Sequence, residues 1–245
     1  MREILVWFGL ATLLTVARAA ETAPIVHLAG DSTMATKPID SPERGWGMSL
    51  HGLFKDPAMV HNHAMNGRST KSFINEGRWD RLASLLRPGD YVIIQFGHND
   101  EKVDRPAVGT DAATTFRDNL RRFIRETRAK RATPILATPV ARRKFDRAGK
   151  LLPTHGVYPD AIRAVAAEET VALIDLEKAT SAWLQAAGDE PSRKFFMWFA
   201  PGEHPKVPEG RQDDTHFVEA GAQKVGELAC ALIKEQKLEL AKWVR

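Results

Sequence analysis

Ser32 is the residue best placed in this sequence to act as a nucleophile. It ends the run Ile25-Val26-His27-Leu28-Ala29-Gly30-Asp31-Ser32, in which a short apolar stretch breaks into a polar corner. A serine hydroxyl is a weak nucleophile until a base takes its proton and a third group orients that base. Both could come from Asp213-Asp214-Thr215-His216-Phe217, near the other end of the chain. His216 is the base in this reading. An acid three residues earlier can fold back onto the other ring nitrogen, so the spacing selects Asp213 and leaves Asp214 as a solvent-facing or capping carboxylate. An acyl-transfer reaction also needs fixed donors for a developing oxyanion. The backbone N–H groups of Ser32 and Gly67 and the side-chain amide of Asn99 are the candidates, each within a polar corner that contains a glycine. Gly30 is expected to permit a sharp turn, and Gly67 to let the backbone come close because it has no Cβ.

Other residues compete for roles. His98 is a rival base, but it sits beside a strand end with no acid at the favourable spacing except Asp100, so a structural hydrogen-bonding histidine is the expectation; Asp31 is expected to tie its own turn together. Arg68 suits a planar carboxylate on a substrate, or a surface ion pair. Trp198 and Trp46 could stack on sugars, or pack. The basic stretch 141–150 could face an acidic polymer, or solvent. Asp31, His98, Asp100, Asp213 and His216 could also be imagined as metal ligands. Such sites open with closely spaced acid and histidine ligands on the first strand, where Gly30-Asp31-Ser32 supplies one carboxylate. A non-catalytic glycan-binding module is the remaining alternative, although Ser32, Gly67, Asn99, Asp213 and His216 are all in place. The Gly-x-Ser-x-Gly elbow of α/β-hydrolases is absent at Ser32.

These residues need a scaffold that gathers them. Apolar runs at 25–29, 58–61, 91–96, 134–138 and 171–174 read as buried strands. Helical spacing follows each of them, over 45–54, 79–86, 112–129, 158–168, from 176 onward, and 217–234. The segment 189–213 reads as long and irregular. Continuous apolar strands alternating with helices predict an α/β fold, a flavodoxin-like three-layer α/β/α sandwich. Its five-stranded parallel sheet would have the order 2-1-3-4-5. In that order the carboxyl ends of the first three strands are neighbours, so Ser32, Gly67 and Asn99 share one rim.

The 245 residues, 43% hydrophobic and 27% charged, suit one soluble domain over 21–245 with no internal repeat or linker. Lys and Arg exceed Asp and Glu by 35 to 31, too mild an excess to point to nucleic acid. Residues 1–20 have the charged, apolar and small-residue layout of a signal peptide, with an apolar run short for a permanent membrane span. A secreted or periplasmic protein is therefore expected, without stable membrane insertion after cleavage. The single cysteine, Cys230, allows no intrachain disulfide and is expected to be a packed thiol.

The ordered blocks Gly30-Asp31-Ser32-Thr33, Asn66-Gly67-Arg68-Ser69, Gly97-His98-Asn99-Asp100 and Asp213-x-x-His216 resemble the SGNH (GDSL-type) hydrolase superfamily over about residues 25–233. Their finer spelling is similar to the rhamnogalacturonan acetylesterase family of carbohydrate esterases. Thr138-Pro139-Val140 and the His155-Gly156 segment resemble bacterial members. The resemblance implies removal of O-acetyl groups from a pectic polysaccharide by an acyl-enzyme on Ser32, with no metal or organic cofactor. Another acetylated glycan or a small ester is the alternative substrate, since relatives of this fold also act on xylan, sialic acids, lipids and thioesters. Fungal relatives carry disulfides that Cys230 alone cannot form.

Overall fold

The computed structural model describes residues 23–245, and the proposed signal segment 1–20 lies outside them. Strands β1 (Val26–Gly30), β2 (Val60–Asn62), β3 (Tyr91–Gln95), β4 (Thr133–Ala137) and β5 (Ala172–Ile174) form one sheet in the order β2-β1-β3-β4-β5. Every pairing in it is parallel. This is the order and direction expected from the sequence.

The strands are apolar throughout because both faces of the sheet are covered. Val26, Leu28, Ile93, Ile135 and Ala137 point to one side. There they meet α1 (Trp46–Leu53), α6 (Leu176–Ala187) and α8 (Glu219–Glu235) through Trp46, Leu50, Leu184, Val225 and Ile233. Ala29, Val92, Ile94 and Leu136 point to the other side. They pack on α2 (Thr70–Asn75), α3 (Arg78–Leu85), α4 (Thr115–Ala129) and α5 (Tyr158–Glu168) through Phe73, Trp79, Phe123 and Ile162. Each Val, Leu, Ile or Phe among them contributes about 1.5–3 kcal/mol on full burial. Cys230 sits buried in α8, and burial raises its thiol to about 11, so it is a packing residue. Among the described residues no helix is long and apolar enough to cross a membrane.

The structure departs from the sequence reading in two places that matter for the site. Helix α2, not expected, is nucleated by Ser69, whose side chain accepts from Ser72 N–H while the Ser72 hydroxyl takes the Ser69 N–H. The segment 189–213 is irregular only in its middle, over 200–210. It holds the short helix α7 (Asp189–Ser192) and strand β6 (Phe196–Phe199), which pairs antiparallel with β7 (Arg211–Phe217). The strand Arg-Gln-Asp-Asp-Thr-His-Phe carries almost no apolar signal, since only Phe217 is buried. Its ordering comes from β6, from the tilted Phe196–Phe217 ring contact, and from Arg44 N–H donating to the Phe217 carbonyl at 2.8 Å. Asp213 and His216 therefore stand on a strand, not in a loop before the last helix.

Candidate active site

Ser32 follows β1 directly and projects from the carboxyl rim of the sheet. Its Oγ lies 2.9 Å from His216 Nε2. His216 Nδ1 lies 2.8 Å from Asp213 Oδ2. An ionised carboxylate only accepts, so Nδ1 carries the ring proton and Nε2 offers its lone pair to the Ser32 hydroxyl. The other Asp213 oxygen, Oδ1, takes the backbone N–H groups of Thr215 and His216 at 2.8 and 3.0 Å. Burial pushes the Asp213 carboxyl upward, but the His216 ring and these two amides more than offset it and hold the group well below the usual carboxylate range.

The ground beneath Ser32 is a buried polar network. Asp31, fully buried, accepts from the Thr33 N–H and hydroxyl at 2.9 and 2.7 Å, which ties the turn as expected. Its Oδ2 lies 3.3 Å from His98 Nδ1. His98 thus pairs with Asp31, not with Asp100, whose carboxylate is engaged by Thr70 and Thr110. Desolvation raises Asp31, yet His98 and Thr33 bring it down to about 2; burial lowers His98 to about 4 against the pull of Asp31. Gln95, at the end of β3, bridges Thr33 and the indole N–H of Trp46. Trp46 is a wholly buried packing residue, leaving no face for a sugar.

The two glycines of the rim serve for reasons opposite to those expected. Gly30 does not take a left-handed backbone conformation. Its small size is what counts, because a Cβ there would stand 2.9 Å from both the Gln95 carbonyl oxygen and Met34 Sδ. Gly67 has a φ of 75°, while a Cβ would meet no protein atom within 4 Å. Conformation, not crowding by the protein, calls for glycine there. The Gly67 turn is held to β1 by Met65 N–H donating to the Gly30 carbonyl at 3.0 Å. Asn99 is buried and reaches the same turn, its Nδ2 donating to the Arg68 carbonyl at 3.0 Å. Lys102 Nζ donates to Asn99 Oδ1 at 2.7 Å and so fixes which end of the amide is the donor. Among the described residues neither the Ser32 nor the Gly67 N–H finds an acceptor in the protein. Two backbone donors and the second hydrogen of Asn99 Nδ2 are thus available on one rim.

A belt of charges that the sequence reading missed joins the acid to this turn. Arg211 Nη2 donates to Asp213 Oδ2 and its Nη1 lies 3.8 Å from Glu43. Glu43 pairs with Lys37 at 2.6 Å, and Lys37 donates to Asn66 Oδ1 at 2.5 Å. Arg211 shares a strand face with Asp213 two residues on, a relation hidden while β7 goes unrecognised as a strand; Glu43 and Lys37 leave no local pattern.

The remaining candidates are occupied by protein partners. Arg68 Nε donates to both oxygens of Glu76 at 3.0 and 3.1 Å, and its Nη1 to the Asn66 carbonyl. Trp198 donates its indole N–H to Asp214 Oδ1 at 2.8 Å, and the guanidinium groups of Arg143 and Arg193 lie 4.7 and 4.3 Å from its ring centroid. Asp214 is therefore neither a cap nor a free carboxylate. The basic stretch 141–150 is not a uniformly solvated face: Arg143 is buried between Asp189 and Asp214, and Arg142 joins Glu101 and His155. The imagined metal set splits into the Asp31–His98 pair, the Asp213–His216 pair and the separately engaged Asp100.

The model of the GDSL-like Lipase/Acylhydrolase family matches residues 28–224, from β1 into α8. The rhamnogalacturonan acetylesterase RhgT of Bacillus subtilis (strain 168) is 44% identical over 216 residues, 88% of this chain and 91% of that protein. The probable rhamnogalacturonan acetylesterase YesY of the same strain is 36% identical over 215 residues, 88% of this chain and 94% of that protein. A solved structure of protein YXIM of Bacillus subtilis aligns with a TM-score of 0.75 at 30% identity, over 89% of this chain and 58% of that one, so this chain spans little more than half of that structure. With a family match from β1 into α8 and similarity at 44% and 36% identity along nearly the whole of two Bacillus proteins, the chain belongs to the GDSL-like lipase/acylhydrolase family and is a carboxylic ester hydrolase.

Proposed function

We propose that the protein is a serine esterase that removes O-acetyl groups from acetylated rhamnogalacturonan, and that it acts outside the cytoplasm after loss of residues 1–20. The observation that carries the chemistry is the continuous Ser32–His216–Asp213 hydrogen-bond chain. The substrate assignment draws on the 44% identity to a rhamnogalacturonan acetylesterase. The compartment draws on the signal-like composition of the first twenty residues.

In this mechanism His216 Nε2 takes the Ser32 proton as Oγ attacks the acetyl carbonyl. Asp213 keeps the ring in the tautomer that can accept it and stabilises the imidazolium that results. The oxyanion is received by the N–H groups of Ser32 and Gly67 and by Asn99 Nδ2. The His216 proton then passes to the departing sugar oxygen, leaving acetyl on Ser32. Water, deprotonated by His216, attacks that ester, and acetate leaves as Ser32 recovers its proton. No step calls on a metal or an organic cofactor.

Acetate release from acetylated rhamnogalacturonan, acetylated xylan and p-nitrophenyl acetate tests this reading with wild type and Ser32→Ala. Release from the pectic polymer that disappears in the variant supports it. Ser32-dependent release from the small ester alone removes the pectic assignment, and release independent of Ser32 removes the mechanism.

A further inference from the structure

Five residues before Ser32, toward the amino end of β1, three imidazoles converge between β1 and the edge strand β2. The parallel register sets His27 beside His61, and His63 follows two residues later, so the strand repeat returns it to the same face. Each ring has a ligand nitrogen within 4.8 Å of the others. His27 Nδ1 and His63 Nε2 are 3.0 Å apart, in nearly stacked rings.

The orientation of His27 is the telling feature. It is 1% exposed, and its Nε2 points toward Asp90 Oδ2 at 3.6 Å, too far for a hydrogen bond. Asp90 itself is anchored by the N–H groups of Ile25 and Arg87 at 2.9 and 2.8 Å. A proton on Nε2, directed at this carboxylate, leaves the Nδ1 lone pair aimed into the gap that His61 and His63 share. Metal-binding histidines donate their other ring N–H to such a carboxylate, and Asp90 stands in that direction from His27, a short closure away from making the bond. Imidazole donors favour Zn²⁺, Cu²⁺ and Ni²⁺ over Mg²⁺ or Ca²⁺. Tetrahedral Zn²⁺ holds nitrogen at about 2.0–2.1 Å, so adjacent ligand atoms stand a little over 3 Å apart, near the separation already present between His27 and His63. His61 is exposed, which gives the ion an entry path and gives the ring freedom to close on it.

We propose that His27, His61 and His63 bind one Zn²⁺-type divalent cation, with Asp90 orienting His27 and water completing the coordination. The ion would clamp the edge strand to β1. His63 opens the loop that leads to Gly67, and its N–H already donates to the Leu28 carbonyl at 2.9 Å. The clamp therefore steadies the turn without touching the Ser32 chemistry.

The test uses tag-free protein stripped with chelator and titrated with Co²⁺, followed by visible absorption and calorimetry. One Co²⁺ per chain with the d–d bands of an imidazole-rich tetrahedral site is expected, displaced by Zn²⁺, together with a rise in Tm as free Zn²⁺ increases. His61→Gln, exposed and so compatible with folding, and His63→Gln should each weaken binding at least ~10-fold. Asp90→Asn should weaken it ~10–100-fold. His61→Gln should turn over p-nitrophenyl acetate as wild type does. Absence of saturable Co²⁺ and Zn²⁺ binding overturns the proposal, as does binding that His61→Gln and His63→Gln leave unchanged.

Discussion

Arg211 and His216 converge on a single atom: Asp213 Oδ2 accepts from Arg211 Nη2 and, at 2.8 Å, from His216 Nδ1. The acid is thus shared between the histidine and the charge belt that runs through Glu43 and Lys37 to Asn66. Arg211 is about one-third exposed, so its pairing is screened by solvent, and Oδ1 keeps both backbone donors without it. Arg211→Gln should reduce kcat by no more than about five-fold, the kinetic equivalent of the ~0.2–1 kcal/mol an exposed ion pair contributes. Steady-state kinetics on p-nitrophenyl acetate check this. A loss of a hundred-fold would make Arg211 part of the positioning apparatus for Asp213.

Asp213→Asn should be far more damaging. The two backbone N–H groups would hold the new amide oxygen in the place of Oδ1, turning the NH₂ toward His216. His216 Nδ1 would then have to accept, which moves the ring proton to Nε2, facing Ser32. A base already protonated on that nitrogen cannot take the serine proton. The expected loss in kcat is on the order of 10⁴, as for the equivalent change in serine proteases. Circular dichroism should remain that of the wild type, and a variant with more than a tenth of wild-type turnover would remove Asp213 from the relay.

The sheet order was legible because its strands are apolar on both faces and separated by helices of clear period. The contact between Asp213 and His216 was legible because it is local, three residues along the chain. Strand β7 was not, because its residues are polar and its order is imposed by β6 and the Phe196–Phe217 ring contact. The Asp31–His98 pair and the Gln95 bridge to Trp46 join residues 67 and 49 positions apart, and nothing in a local window marks them. The glycines show a subtler limit. Sequence identified Gly30 and Gly67 as special, but whether space or backbone conformation required them depended on neighbours visible only in three dimensions.

Asn99 gives the sharpest test of the oxyanion assignment. Its amide is oriented from one side by Lys102 and from the other by the Arg68 carbonyl, so it needs no reorganisation as charge develops. Asn99→Ala should lower kcat by ~10²–10³ with a smaller effect on KM. Near-wild-type turnover in this variant would falsify its role in the hole.

Alanine at the two glycines should separate space from conformation. Gly30→Ala forces a Cβ against a backbone carbonyl oxygen and Met34 Sδ, an overpacking that costs ~1–3 kcal/mol and should lower Tm. Gly67→Ala meets open space, but keeping its left-handed φ would cost ~1–2 kcal/mol, a strain that an exposed turn can shed. That turn can relax by moving, so its penalty should appear chiefly in kcat, through a displaced N–H, with little change in Tm. Equal losses of Tm in both variants would contradict this division.

His98 should make the fold sensitive to acid. Burial lowers its imidazole to about 4 from an unfolded value near 6.5, so the unfolded chain binds the proton more readily between those limits. Its contribution to stability is complete above about pH 6.5 and is lost as pH falls toward 4. Asp31, held at about 2 despite its burial, adds a second loss, confined to the range below about pH 4. Asp100 acts in the opposite direction. Burial raises its carboxyl to about 7, partly offset by Thr70 and Thr110, so its contribution is greatest in acid and fades as pH rises to neutrality. These slopes overlap, and the comparison that isolates His98 is wild type against His98→Asn in urea unfolding from pH 7.5 down to 4.5. The asparagine cannot titrate, so the gap between the two midpoints should narrow as the wild type loses the histidine contribution. A gap that stays constant across the series would show that His98 keeps the same protonation preference in the folded and unfolded chains.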